Sequence, residues 1–200
     1  IFAINFVGSY ILLGLLFLTA FILLCFFQPA KKFVEESDQS KRSLIEIMKQ
    51  SSFIVAASAA TTGYVVMSFV MTATPISMHV MDGFSLHHTK FIIQSHVIAM
   101  FLPSLFTAFI VKYLGISKMM ILGVVLFFAA IVIAYLSHNL NNYWVSLVLL
   151  GLGWNFLFIG GTSLLPKSYH ENEKYKAQSL NVFLVFGFQA FAALSAGWFV

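Results

Sequence analysis

Charged side chains are missing from five long stretches of this chain. No Asp, Glu, Lys or Arg occurs in residues 1–30, 50–81, 91–111, 119–166 or 177–200. A helix needs about 20 consecutive apolar residues to cross a hydrocarbon core of ~30 Å. Four of the stretches suit one crossing each. The fourth in order, 119–166, is long enough for two, and the polar run from Ser137 through His138, Asn139, Leu140 and Asn141 to Asn142 divides it. The pattern predicts six helices over roughly 6–27, 53–76, 92–111, 119–136, 143–165 and 179–200. Strands of a membrane barrel alternate apolar and polar side chains over segments of about ten residues. Leu12-Leu13-Gly14-Leu15-Leu16-Phe17-Leu18 has no such alternation. The predicted fold class is all-α, a polytopic transmembrane helical bundle.

Composition agrees: 60% of the 200 residues are hydrophobic and 9% charged, where a soluble domain carries about 25% charged residues. The single cysteine, Cys25, has no partner for an intramolecular disulfide or a thiolate metal site. The chain starts on Ile1 and stops at Val200 inside an apolar stretch, so it reads as an internal fragment of a longer protein.

The basic residues give the orientation. Lys31, Lys32, Lys41, Arg42 and Lys49 fall in the first connection, Lys112 and Lys118 in the third, and Lys167, Lys174 and Lys176 in the fifth. The alternate connections hold Lys90. Basic residues concentrate on the cytoplasmic side of membrane proteins, so the odd connections are expected in the cytoplasm.

The first connection is the longest and most polar. Pro29 is expected to end the preceding helix. Ser43-Leu44-Ile45-Glu46 reads as a capping box, and Leu44, Ile45, Ile47 and Met48 make a short apolar face suited to a membrane surface. A hinge-like linker and a plain solvated loop fit this stretch equally. Glycine gathers in the fifth helix at Gly151, Gly153, Gly160 and Gly161. Gly153 and Gly160 share a face, which suits close helix contact.

The polar residues within the spans are uncharged. Trp154 and Asn155 lie near the middle of the fifth helix and Gln189 near the middle of the sixth. Tyr64 is in the second, with Thr61, Thr62, Ser68 and Thr72, and His96 is in the third with Gln94. Facing a water-filled cavity, such groups orient a solute; facing a neighbouring helix, they make interhelical hydrogen bonds. His79, Asp82, His87 and His88 cluster around the second connection, at a spacing that matches no zinc pattern. No phosphate-binding GxxxxGK[ST] loop occurs, and no nucleophile–base pair stands out. Neither a cofactor nor a metal is expected, nor is nucleic acid a partner.

Three stretches carry a family resemblance. Pro103-Ser104-Leu105-Phe106-Thr107-Ala108 through Lys112-Tyr113-Leu114-Gly115-Ile116-Ser117-Lys118 looks like the second-half copy of a loop motif, Gly-x-x-x-Asp-Arg-x-Gly-x-Arg. Ala108 stands for its first Gly, Lys112 for Asp and Tyr113 for Arg, while Gly115 and the basic Lys118 remain. The others are residues 151–162, Gly-Leu-Gly-Trp-Asn-Phe-Leu-Phe-Ile-Gly-Gly-Thr, and 178–187, Gln-Ser-Leu-Asn-Val-Phe-Leu-Val-Phe-Gly. With these stretches and six spans, the chain resembles the major facilitator superfamily. It is similar to bacterial members of which some are proposed exporters or riboflavin-type vitamin transporters.

The resemblance implies that residues 1–27 are transmembrane helix 6 of a twelve-helix transporter, 28–50 its cytoplasmic central linker, and 51–200 helices 7 to 11. Helices 7, 8, 10 and 11 of that superfamily line the solute cavity. Tyr64, His96, Trp154, Asn155 and Gln189 are therefore the candidate solute-binding residues. The expected function is secondary transport of a small solute by alternating access, without enzymatic activity, in the inner membrane of a bacterium. Lipid surrounds the protein, and a proton is the candidate coupling ion. A membrane receptor or scaffold without transport is the alternative, and a membrane-embedded enzyme a more distant one.

Overall fold

A computed structural model describes residues 7–27 and 42–198. The chain forms two units, Ile1–Asp38 and Gln39–Val200. In the first, α1 (Val7–Cys25) is a 19-residue helix that is apolar all round. At 1.5 Å per residue its length matches a hydrocarbon core. Pro29 and the linker lysines Lys31, Lys32 and Lys41 lie outside the described residues.

The second unit contains α2 (Leu44–Met48), α3 (Ser51–Ile76), α4 (Leu86–Phe101), α5 (Thr107–Leu114), α6 (Ile116–Leu136), α7 (Leu140–Leu164) and α8 (Lys174–Ala196). A 3-10 stretch, Leu102–Phe106, joins α4 to α5, so the two make one interrupted crossing. Among the described residues six segments are long and apolar enough to cross a membrane. These are the six crossings the charge pattern predicts.

Helix ends differ from the sequence prediction where a helix continues past the apolar zone. α4 begins at Leu86 rather than near 92, because Ser85 caps it by accepting the His88 N–H at 3.3 Å. His87, His88 and Lys90 thus lie on the opening turns of a helix. α8 begins at Lys174 rather than 179, directly after a 3-10 turn, Glu171–Glu173. A charge-free run marks the lipid-embedded part of a helix, whereas caps mark its ends. Pro75 removes a donor inside α3 and crowds the carbonyl one turn back. The helix then widens into a π turn, Ser77–Met81.

α7 is the central element, with α3, α4 and α6 packed around it and α8 against α3. Its glycines permit this. A Cβ on Gly151 would stand 2.7 Å from the His96 carbonyl oxygen on α4, and one on Gly161 2.8 Å from the Ala56 carbonyl oxygen on α3. Gly153 and Gly160 both meet α6, at Phe127 and Met120, on the shared face that their spacing predicts. Gly115 adopts φ +74°, a left-handed conformation natural to glycine, and as a single residue turns α5 into α6.

The described end of the long connection is part of this bundle. Ser43 and Glu46 form the expected capping box: the Ser43 N–H donates to Glu46 Oε2 at 2.7 Å, and Ser43 Oγ accepts the Glu46 N–H at 3.3 Å. Ile47 is fully buried in a cluster with Phe53, Ala56, Ala57, Leu165 and Ala177, while Leu44, Ile45 and Met48 stay exposed. Arg42 pairs with the buried Glu173. The hydrogen bonds to that carboxylate raise the Arg42 guanidinium above its ordinary pKa.

Candidate functional site

Near the middle of the crossings, aromatic rings from four of them meet. Tyr64 on α3 stands edge-on to Trp154 at 5.4 Å, to Phe158 at 5.6 Å and to Phe186 at 5.6 Å between ring centres. Trp154 and Phe158, one turn apart on α7, stack at 5.0 Å and 11°. Phe101, the last residue of α4, closes the group at 5.9 Å from Trp154. Edge-to-face and stacked pairs of this kind follow from the ring quadrupole and add about 0.5–1.5 kcal/mol each to area burial. Trp154 is 3% exposed and forms the base of the cluster, while Phe101 at 57% and Phe186 at 53% present their faces.

The polar atoms here are uncharged. Trp154 Nε1 and Gln189 Oε1 are buried without a hydrogen-bond partner among the described residues. Gln189 lies one turn beyond Phe186 on α8. Buried donors and acceptors are nearly always satisfied in folded proteins, so such atoms mark places where a ligand or water completes the bonding. Asn181 Oδ1, further toward the start of α8, is in the same condition.

His96 and Asn155 also carry such an atom, His96 Nε2 and Asn155 Oδ1, but their other polar atoms are bonded to neighbouring backbone or side chains. His96 is fully buried and donates from Nδ1 to the Leu147 carbonyl on α7 at 2.7 Å. A carbonyl only accepts, so the ring carries its proton on Nδ1. Asn155, 1% exposed, donates from Nδ2 to the Met100 carbonyl and to Ser104 Oγ, both at 2.6 Å. The structure thus brings Tyr64, Trp154 and Gln189's neighbour Phe186 into one cluster and sets His96 and Asn155 along the α4–α7 seam. Thr72, Thr74 and Thr162 each bond a carbonyl of their own helix.

Sequence reasoning did not single out Phe101 or Phe186. Their type carries no signal in a chain with 23 Phe, and only the packing selects them. Two apolar cavities lie elsewhere. One of about 480 Å³ runs between α3 and α6 over Leu157, and one of about 300 Å³ lies beside Pro103 and Leu152.

At the second connection, His79 Nδ1 donates to the Phe84 carbonyl at 2.9 Å and His88 faces Ser85. Asp82 instead accepts from the Tyr143 hydroxyl at 2.7 Å. Among the described residues no three His, Cys, Asp or Glu side chains come together as a metal site.

The sequence model of the Major Facilitator Superfamily matches residues 1–193. The chain belongs to that superfamily. It is 41% identical over 156 residues to the riboflavin transporter RfnT of Brucella anthropi, covering 78% of this chain and 39% of that protein. It is 31% identical over 207 residues to the uncharacterized MFS-type transporter YddS of Bacillus subtilis, covering 96% of this chain and 47% of the relative. It is also 34% identical over 149 residues to YdeG of the same species, another uncharacterized MFS-type transporter, covering 73% and 34%. The chain thus spans less than half the length of the curated relatives it matches. No solved structure matches it.

All three relatives are named as transporters. The connection that resembles the superfamily's loop motif contains the α5–α6 turn at Gly115. Where the motif has Asp and Arg, Lys112 Nζ lies 5.9 Å from the centre of the Tyr113 ring.

Proposed function

We propose that the full-length protein carries a small, uncharged, ring-bearing solute across the membrane by alternating access, and that this chain supplies one wall of the solute site. The aromatic meeting point of α3, α4, α7 and α8 supports this reading most directly. It lies near mid-span, where transporters of this general design bind substrate between two rocking halves. Tyr64, Phe158, Phe186 and Phe101 offer ring faces and edges, Trp154 holds them from below and Gln189 offers an acceptor. Charge near mid-membrane is strongly unfavourable, at about 2.5–3.5 kcal/mol per residue, and among the described residues Asp, Glu, Lys and Arg keep to the helix ends. The wall is therefore suited to an uncharged, flat part of a solute.

Riboflavin, the solute named for the Brucella anthropi relative, has such a part and is the first solute to test. The membrane is the inner membrane of a bacterium, with the basic connections in its cytoplasm. Residues 28–50 are the linker there, and a proton is the candidate coupling ion. The experiment is flux of labelled riboflavin and of structurally unrelated solutes in proteoliposomes containing the purified full-length protein. Saturable riboflavin flux supports the reading. A well-folded protein that moves none of the solutes ends it.

A further inference from the structure

α4 stops at Phe101 and the crossing resumes as α5 at Thr107. Pro103 accounts for the break, since it lacks an N–H and its ring crowds the Ala99 carbonyl four residues back. The Asn155 amide of α7 reaches both sides of this proline, donating to the Met100 carbonyl before it and the Ser104 hydroxyl after it. Leu147, Gly151 and Asn155 recur every four residues and form one stripe on α7. His96 bonds Leu147 at one end of the stripe, the α4 backbone presses on Gly151, and Asn155 closes the other end. α4 is thereby fastened to α7. α5 packs instead on α6 and on the 3-10 stretch. The break also borders the 300 Å³ apolar cavity between α4 and α7, lined by Ser95, Leu102 and Pro103 among others.

We infer that Asn155 is a positioning residue rather than a solute contact: it clamps the proline break so that α5 pivots there while α4 and Phe101 stay fixed to α7. This rests on the transport reading for its purpose but not for its geometry. A clamp acting on a pivot changes the rate of interconversion, whereas a solute contact changes affinity.

The test uses the full-length protein with its cysteines, Cys25 included, replaced by Ser. Spin labels go at Leu86 and Tyr113, both exposed and on opposite sides of the break. Wild type is expected to give a narrow distance distribution in nanodiscs. Asn155→Ala broadens it and lowers the maximal riboflavin flux about tenfold, the scale of a strong interhelical hydrogen bond, with KM changed less than about twofold. Ser104→Ala, which leaves Asn155 and its bond to Met100 in place, shifts both readouts in the same direction by less. It carries the test if Asn155→Ala fails to fold. Pro103→Ala restores a continuous helix, and combined with Asn155→Ala it returns the distribution to the wild-type width.

A raised KM with unchanged maximal flux and unchanged distances makes Asn155 a solute contact and overturns the clamp. Unchanged distances in both variants overturn it too. Absence of flux in wild type, with a distribution that Asn155→Ala still broadens, removes the transport reading and leaves the clamp standing.

Discussion

The Glu173 carboxylate holds Arg42 from across the sequence, through the guanidinium and through the Arg42 backbone N–H at 3.2 Å. It also accepts the His170 N–H at 3.0 Å, which caps the turn leading into α8. One buried acid therefore joins the end of the long connection to the α7–α8 connection. Removing one member of a buried ion pair destabilises by about 3–5 kcal/mol, and replacing both by apolar residues is often neutral. Arg42 is partly exposed, so solvent screens this pair and its loss costs less than that of a fully buried one.

Glu173→Gln and Arg42→Ala are each expected to lower the thermal midpoint of the full-length protein in detergent. Arg42→Met combined with Glu173→Leu should recover most of the loss. Intrinsic tryptophan fluorescence on heating measures this. Single variants that melt with wild type would mean the pair contributes nothing.

The aromatic site makes a separate claim about affinity. Each ring contact is worth up to about 1.5 kcal/mol, or roughly a tenfold change in binding. Phe186→Ala is expected to raise KM for riboflavin by up to about that factor, with maximal flux little altered, because an exposed ring face can be removed without opening the core. Tyr64→Phe keeps the ring and should leave KM near wild type. Should Phe186→Ala transport riboflavin with unaltered KM, α8 does not contribute to the site.

Much of this architecture is written in the sequence, for physical reasons that also set the limits. Lipid tolerates almost no unpaired charge, so the charge-free runs mark the crossings, and Ser43 with Glu46 announces a cap that is present. Gly153 and Gly160 share a face by helical periodicity alone. The partners of Asn155 and His96 are another matter, since an uncharged polar side chain in a span is equally compatible with a cavity and with a neighbouring backbone. His96 meets Leu147, and Asn155 meets Met100, because α4 lies along one particular stripe of α7. That choice depends on helix packing that no local pattern encodes. The ends of α4 and α8 escape for a simpler reason: Ser85 and Glu173 act beyond the apolar zone.

The glycine contacts differ in what lies opposite them. Gly151 and Gly161 face backbone carbonyls of α4 and α3, whereas Gly160 faces the flexible side chain of Met120. A backbone cannot yield without moving its helix, and Met120 is buried and meets the added carbon at Cγ, next to its own backbone. Gly151→Ala, Gly161→Ala and Gly160→Ala are each expected to destabilise by the ~1–3 kcal/mol of an overpacked core. Thermal midpoints measured in detergent check all three. A Gly160→Ala variant that melts with wild type would show that Met120 repacks freely.

Orientation is the remaining expectation, and it tests the threading of the chain as well. Arg42, Lys49, Lys112, Lys118, Lys167, Lys174 and Lys176 lie at ends of crossings that alternate with the end carrying Asp82 and Lys90. Since α6 alone separates the Gly115 turn from the Ser137–Asn139 turn, reporters inserted at these two places must appear on opposite faces of the membrane, with the Gly115 reporter cytoplasmic. A cytoplasmic reporter at both would mean that α6 does not cross. A reversed pair would keep the crossing and overturn the orientation drawn from the lysines.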